Sequence, residues 1–306
     1  ELTDMNFDIT LTGFELDELV FEEEVEVEYL TDEDEVPAEE TKVVSVLGDI
    51  WKLGNHRLMC GDSTSIDAVD KLMNGEKADM VFTDPPYNTG MTEKNSHDST
   101  RLNHMFNDSY TDEEWEKFMS DFCSMYNMIM KDDTVAYICL DWRRNYELIP
   151  HIKKNFKLSN IIVWDKVVHG LGSDYKYTYE LINVCKKGKP VLDTHQGDRE
   201  YSDVWHIQRK MGKDEDHATK KPLEIVERAL RHASKEKDLI VDLFGGSGST
   251  LIACEKSNRK SYLMELETKY VDVIIKRWQN FTGKEAIHIE TGKTYNEMFK
   301  EKFKTN

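Results

Sequence analysis

The sequence predicts an α/β domain built on a mostly parallel sheet with helices on both faces. Three observations predict it. Short apolar runs alternate with segments of helical periodicity along most of the chain. Two of those runs end in turns of unusual composition, Asp84-Pro85-Pro86-Tyr87 and the glycine-rich Asp242–Thr250. Both turns fall at the carboxyl ends of strands, where open α/β sheets hold their ligands.

The elements follow in order. Ile50–Leu53 and His56–Cys60 read as strands around a Gly54-Asn55 turn, and Ile66, Val69, Leu72 and Met73 recur at helical spacing. Ala78–Phe82, apolar apart from Asp79, is a buried strand stopped by Thr83-Asp84-Pro85-Pro86. Thr111 and Glu114 have capping-box spacing. Behind them Trp115, Phe118, Met119, Phe122, Tyr126 and Ile129 share one apolar helical face, expected to be core. Further strands are expected at Thr134–Leu140, Asn160–Trp164, Glu180–Cys185, Asp238–Asp242 and Ser261–Leu266. Helices are expected at Leu223–Ala233, Ser249–Ser257 and Tyr270–Phe281. Two polar stretches, 88–110 and 188–216, fit neither period and read as functional loops.

Charge divides the chain. Of the net −19, residues 1–50 supply 18 acids and one lysine, so the remaining 256 residues are nearly neutral and can hold a basic cleft. Residues 1–41 are expected to be an acidic tail, disordered or loosely docked, and 42–306 the folded body. A chain that opens on Glu1 rather than Met points to a longer natural protein. No run reaches the roughly 18–20 apolar residues of a membrane helix, and no signal peptide opens the chain. The five cysteines are far apart and form no Cys-x-x-Cys pair, which fits a reducing cytoplasm and no metal centre.

The two turns carry the chemistry. Two prolines stiffen the backbone of Asp84-Pro85-Pro86-Tyr87 and leave a carboxylate and an aromatic ring projecting from it. That arrangement suits a planar base with an exocyclic amine. Tyr87 stacks on the ring, while Asp84 and a proline carbonyl accept the two amine hydrogens. In Asp242-Leu243-Phe244-Gly245-Gly246-Ser247-Gly248 the glycines allow a ligand to approach the backbone closely. No Gly-Lys-Ser/Thr follows, so it is not a P-loop. Leu251 stands where a third dinucleotide-type glycine would fall. Glu265 ends the next strand, placed to bind a ribose diol. The chain thus has a nucleoside pocket without a pyrophosphate cradle.

Together these motifs resemble the amino-group DNA methyltransferases that use S-adenosylmethionine, in the β-class order with the catalytic motif ahead of the glycine motif. The resemblance covers about residues 48–285. It implies a Rossmann-like methyltransferase fold with circularly permuted motifs, and catalytic residues Asp84, Pro85, Pro86 and Tyr87. It also implies cofactor contacts from Asp62, Thr219, Lys221, Asp242, Phe244, Gly245, Gly246, Gly248 and Glu265. Gly61-Asp62 resembles the step beside the cofactor adenine. His217-Ala218-Thr219-Lys220-Lys221-Pro222 resembles the segment that holds the methionine part. Asp203-Val204-Trp205 is family-like without an assigned role. The implied partners are double-stranded DNA and, as one arrangement, a second copy of the chain, in a restriction-modification setting. The target base is flipped out, with 188–216 as the recognition segment and 88–110 closing over the base. The tail and hairpin further resemble a phage and prophage subgroup with an upstream ParB-like domain. An opening Asp accompanies adenine N6 in this family and Ser accompanies cytosine N4, so N6 of adenine is the expected target. The alternatives are cytosine N4, or a catalytically inactive nucleic-acid-binding subunit.

Overall fold

The computed structural model describes residues 29–39, 41–89, 110–168, 174–192, 202–208 and 221–303. Among them ten strands form one sheet: β1 Ile50–Leu53, β2 His56–Cys60, β3 Ala78–Thr83, β4 Met130–Leu140, β5 Lys157–Asp165, β6 Tyr179–Lys187, β7 Val204–His206, β8 Leu239–Asp242, β9 Lys260–Glu265 and β10 Ile287–His288. The helices are α1 Ile66–Met73, α2 Asp112–Ile129, α3 Trp142–Asn155, α4 Leu223–Ala233, α5 Ser249–Lys256, α6 Thr268–Thr282 and α7 Tyr295–Lys302.

The strand order is β10-β1-β2-β9-β8-β3-β4-β6-β5-β7. β2, β9, β8, β3 and β4 are mutually parallel, while β1 and β6 run against them. From β3 the chain crosses to β4 on one side, and from β8 it crosses to β9 on the other. The gap between the carboxyl ends of β3 and β8 is therefore the topological switch point, where doubly wound sheets open a ligand crevice.

Both faces are covered, which explains the continuous apolar strands. On β4, Val135, Tyr137 and Cys139 enter the core shared with α4, α5 and α6. Ala136, Ile138 and Leu140 alternate into the core shared with α1, α2 and α3. The α2 face read from the sequence is buried throughout, and its capping box forms both bonds, Thr111 N to Glu114 Oε2 (2.9 Å) and Glu114 N to Thr111 Oγ1 (3.3 Å). All five cysteines are unpaired and buried. Among the described residues no helix is long and apolar enough to cross a membrane.

The structure adds elements that the periodicity did not predict. α3 carries Pro150 in its interior, which breaks the pattern of a helix, yet Leu148 and Ile152 pack it into the core. Within 188–216, read as loop, β7 pairs in parallel with β5, with Trp205 opposite Trp164. After residue 285 come β10 and α7, the latter opened by a capping box of Thr294 with Glu297. Packing also begins upstream of Lys42. Tyr29 stacks on Phe281 at 4.0 Å, and Leu30 N donates to the Phe281 carbonyl (3.0 Å).

Candidate active site

Asp84 and the glycine turn leave adjacent strands at the switch point, with Val81 abreast of Val241. The strand ends are cross-linked by a chain of buried hydroxyls. Leu243 N donates to the Tyr126 hydroxyl (3.0 Å), Tyr126 lies 2.7 Å from Thr83 Oγ1, and Thr83 donates to Asp242 Oδ1 (3.2 Å). The direction is fixed, because the Thr83 proton goes to the carboxylate and Tyr126 must then donate to Thr83. Asp242 also accepts from Phe244 N (3.1 Å) and Thr250 Oγ1 (2.7 Å). Burial nevertheless pushes its carboxyl up to about 7, outweighing those donors. Asp242 thus shapes the turn from beneath.

Gly246 and Gly248 adopt φ of +52° and +83°, a backbone region costly for other residues. A side chain at Gly248 would meet Ile274 at 3.1 Å, whereas one at Gly246 would meet nothing within 4 Å. Gly248 therefore serves packing, and Gly246 keeps the open side of the turn clear. Glu265 lies across from it. Its Oε2 accepts from Gly246 N (2.8 Å) and its Oε1 from Glu267 N (2.9 Å). Burial raises this carboxyl to about 7 in spite of these amides. Gly61 N donates to the Glu265 carbonyl (2.9 Å), which brings Asp62 to the same edge. Asp62 does not cap α1, a role taken by Ser65. Its carboxylate accepts from Thr64 N and Oγ1, both at 2.8 Å. Phe244 packs edge-on to Phe118 (5.8 Å) at the rim of the core. Thr219 lies outside the described residues.

On the other side of the crevice Asp84 belongs to a charged cluster. Tyr87 donates its hydroxyl to Asp84 Oδ1 (2.6 Å), and Lys221 Nζ ion-pairs with Asp84 Oδ2 (2.8 Å). The same ammonium reaches the Tyr87 hydroxyl (2.8 Å) and Glu180 Oε2 (2.9 Å), while Lys166 holds Glu180 Oε1 (2.7 Å). Burial works against the charge on Glu180, but Lys221 and Lys166 prevail and hold its carboxyl at about 2. For Lys221, 8% exposed, burial is likewise outweighed, by Asp84 and Glu180, and its pKa rises. Burial, then Asp84 and Glu180, push the Tyr87 phenol well above its usual value, so it remains a donor. Lys221 Nζ is 5.4 Å from the Tyr87 ring centroid but 2.8 Å from its hydroxyl. It therefore approaches from the hydroxyl end of the ring, whose body packs against the core beside α2. Among the described residues the Pro85 carbonyl receives no hydrogen bond.

Lys221, expected from its motif to contact the cofactor, has its side chain among Asp84, Tyr87 and Glu180. Its ammonium is committed to the Asp-Pro-Pro-Tyr side, and only its carbonyl, 3.3 Å from Ser249 Oγ, touches the turn side. Glu180, Lys166 and Tyr126 were not singled out from the sequence as site residues. The 88–110 stretch has pinned ends. Asn88 (φ +49°, buried) exchanges two bonds with the Tyr110 backbone, at 2.9 and 3.3 Å, and its carbonyl accepts from Arg144 Nε (2.9 Å). Residues 90–109 lie outside the described residues.

A doubly wound sheet with these two turns facing each other across its switch point defines a class I methyltransferase fold. Solved structures agree. The PvuII DNA methyltransferase, cytosine-N4-specific, aligns with a TM-score of 0.58 at 16% identity, over 78% of this chain and 90% of that one. The M1.HpyAVI–SAM complex aligns with a TM-score of 0.56 at 18% identity, over 72% and 97%. The chain belongs to the DNA methylase family N6_N4_Mtase, whose sequence profile matches residues 78–277. Among curated relatives, the type II methyltransferase M2.MboI of Moraxella bovis is 27% identical over 234 residues, 67% of this chain and 81% of its own length. M.HinfI of Haemophilus influenzae is 26% identical over 246 residues, 69% and 66%.

Proposed function

We propose that the protein methylates N6 of an adenine flipped out of double-stranded DNA, using S-adenosylmethionine. The observation that carries this reading is the carboxylate of Asp84, fixed by Lys221 and Tyr87 beside a Pro85 carbonyl that accepts no hydrogen bond among the described residues, at the end of the strand next to that of the glycine turn.

The residues on the turn side fit a nucleoside-bearing cofactor. Gly246 keeps its backbone open, and Glu265 presents a desolvated carboxylate able to accept from a ribose diol. Gly245, Gly246 and Gly248 would line the approach, with Asp62 and Phe244 at its edges. The cofactor supplies an electrophilic methyl group on a sulfonium.

The amine lone pair of the base is delocalised into its ring, so the nitrogen is a poor nucleophile. Two of the acceptor positions of Asp84 are taken by Lys221 and Tyr87, and the carboxylate keeps others for an amine hydrogen. The Pro85 carbonyl accepts the second hydrogen. These contacts draw the nitrogen toward tetrahedral geometry and stabilise the positive charge that develops on it. Lys221, itself held by Glu180, prevents the carboxylate from turning, so the acceptors are in place before the base arrives. The partly exposed ring of Tyr87 offers stacking.

For adenine over cytosine the support is the opening Asp84 of the motif, a family resemblance rather than a geometric argument. The fold does not separate the two bases, since a cytosine-N4-specific enzyme shares it. Nucleoside mass analysis of DNA methylated by the purified protein is the test. N6-methyladenine is the expected product. N4-methylcytosine alone overturns the base assignment, and no methylated nucleoside overturns the activity.

A further inference from the structure

Arg277, on α6, is 2% exposed, and its guanidinium donates in two directions. Nη1 reaches the carbonyl of Ser247 in the glycine turn (2.8 Å), with Ser249 Oγ at 3.4 Å. Nη2 reaches the carbonyl of Glu33, far upstream (2.8 Å). Nε has no partner among the described residues. Burial lowers the pKa of Arg277 to about 10, against the opposing fields of Asp34 and Glu33, so it stays charged at neutral pH. A buried cation needs compensation. Here the named compensating acids both belong to the segment 29–39 and not to the sheet or its helices.

That segment is shaped and anchored for the task. Glu35 N bonds the Asp32 carbonyl (3.0 Å) and Asp34 N bonds Asp32 Oδ1 (2.8 Å), a turn that presents the Glu33 carbonyl. Tyr29 and Leu30 fasten one end to Phe281, and Glu33 ion-pairs with Lys256 of α5. We infer that residues 29–39 form a strap that holds the glycine turn, through Arg277, in the shape that binds the cofactor. Arg277 is a positioning residue. The inference rests on the reading of that turn as the S-adenosylmethionine site.

The test compares the full chain with chains lacking residues 1–28 and 1–39, each with Arg277 and with Arg277→Met. S-adenosylmethionine affinity is measured by calorimetry, and amide exchange is followed at Gly246 and Gly248. Loss of a charge-assisted bond corresponds to about a tenfold change in affinity. Removing 1–28 should change nothing, and removing 1–39 should weaken binding about tenfold and speed exchange at both glycines. Arg277→Met should do the same in the full chain but add little to the shorter one, since both changes break one relay. Arg277→Lys, able to keep one of the two donations, should fall between. If the 1–39 deletion does not fold, Tyr29→Ala with Leu30→Ala loosens the strap in the full chain and takes its place. Equal affinity and equal exchange with and without the strap, or fully additive effects, overturn the inference. Exchange needs no cofactor, so faster exchange in a protein whose full chain binds no S-adenosylmethionine keeps the strap and removes the cofactor reading.

Discussion

Replacing Lys221 with methionine separates the structural assignment of this residue from the one its sequence motif implies. The substitution keeps much of the volume and removes an ammonium that bonds Asp84, Glu180 and Tyr87 at 2.8–2.9 Å. The Glu180 carboxyl sits at about 2 against an ordinary 4.5. Its two lysines thus outweigh the burial that opposes the ionised form. Lys166 retains part of this, but Asp84 and Glu180 are left facing one another without a shared cation. Breaking a buried pair from one side typically costs about 3–5 kcal/mol. A loss of about 3 kcal/mol in folding stability at pH 7 is therefore expected, read from urea denaturation midpoints. The sign with pH follows. A depressed carboxyl contributes stability above its unfolded value and loses it as pH falls toward its folded value. The gap between wild type and variant should accordingly be widest above about pH 4.5 and close toward pH 2. Methyl transfer in a single turnover should fall at least about a hundredfold, because Asp84 is free to turn, while S-adenosylmethionine affinity stays within a few-fold. A variant with normal stability and transfer rate but weakened cofactor binding would refute this reasoning and return Lys221 to the cofactor side.

Three other outcomes are expected. Asp84→Ala should abolish methyl transfer with cofactor affinity near wild type in calorimetry. Glu265→Ala and Gly246→Val should instead weaken cofactor binding, the valine also straining a backbone at φ +52°. Asp242, at about 7 in the folded protein against 3.8, binds its proton more tightly when folded, so stability should decline as pH rises from about 4.5 to 7. Glu180 and Glu255, both held near 2, oppose this only at lower pH, and Asp242→Asn should flatten the slope of denaturation midpoint against pH. Residues 1–28 carry 11 acids and no base, so their deletion should tighten DNA binding at low salt and have little effect at high salt, measured by fluorescence anisotropy.

The sheet was legible because its strands are buried on both faces. The Gly54-Asn55 turn marks the limits of Ile50–Leu53 and His56–Cys60, and both matched residue for residue although Lys52, His56 and Arg57 are polar. α3 was hidden by Pro150, since a local rule against proline in helices says nothing of the core that Leu148 and Ile152 fill. β7 is three residues in a polar stretch and is made a strand by its neighbour β5 rather than by its own pattern. At the site, Asp84 and the glycines were readable because rigid turns and unusual backbone angles demand particular residue types. Glu180 and Lys166 were not. A charged residue at a strand end looks the same in sequence whether it faces water or a buried partner, and only the antiparallel placement of β6 beside β4 brings Glu180 to Lys221 and Asp84. Lys221 stood out by its motif, yet its partners could not be inferred from neighbours in the chain, because Asp84 and Glu180 are far away along it.

The clasp between Asn88 and Tyr110 has a consequence for how such a protein changes over time. Asn88 and Tyr110 touch through a pair of hydrogen bonds, and Arg144 braces Asn88 from α3. The two ends of the intervening stretch are thus held together. Its closure entropy grows only with the logarithm of length, about 0.6 kcal/mol for each doubling. Residues can thus be added, removed or exchanged between 89 and 109 with small effect on the sheet, immediately after the Asp84–Tyr87 turn. The fold provides a socket there, into which cassettes of different length and composition can be grafted while the chemistry behind them stays fixed.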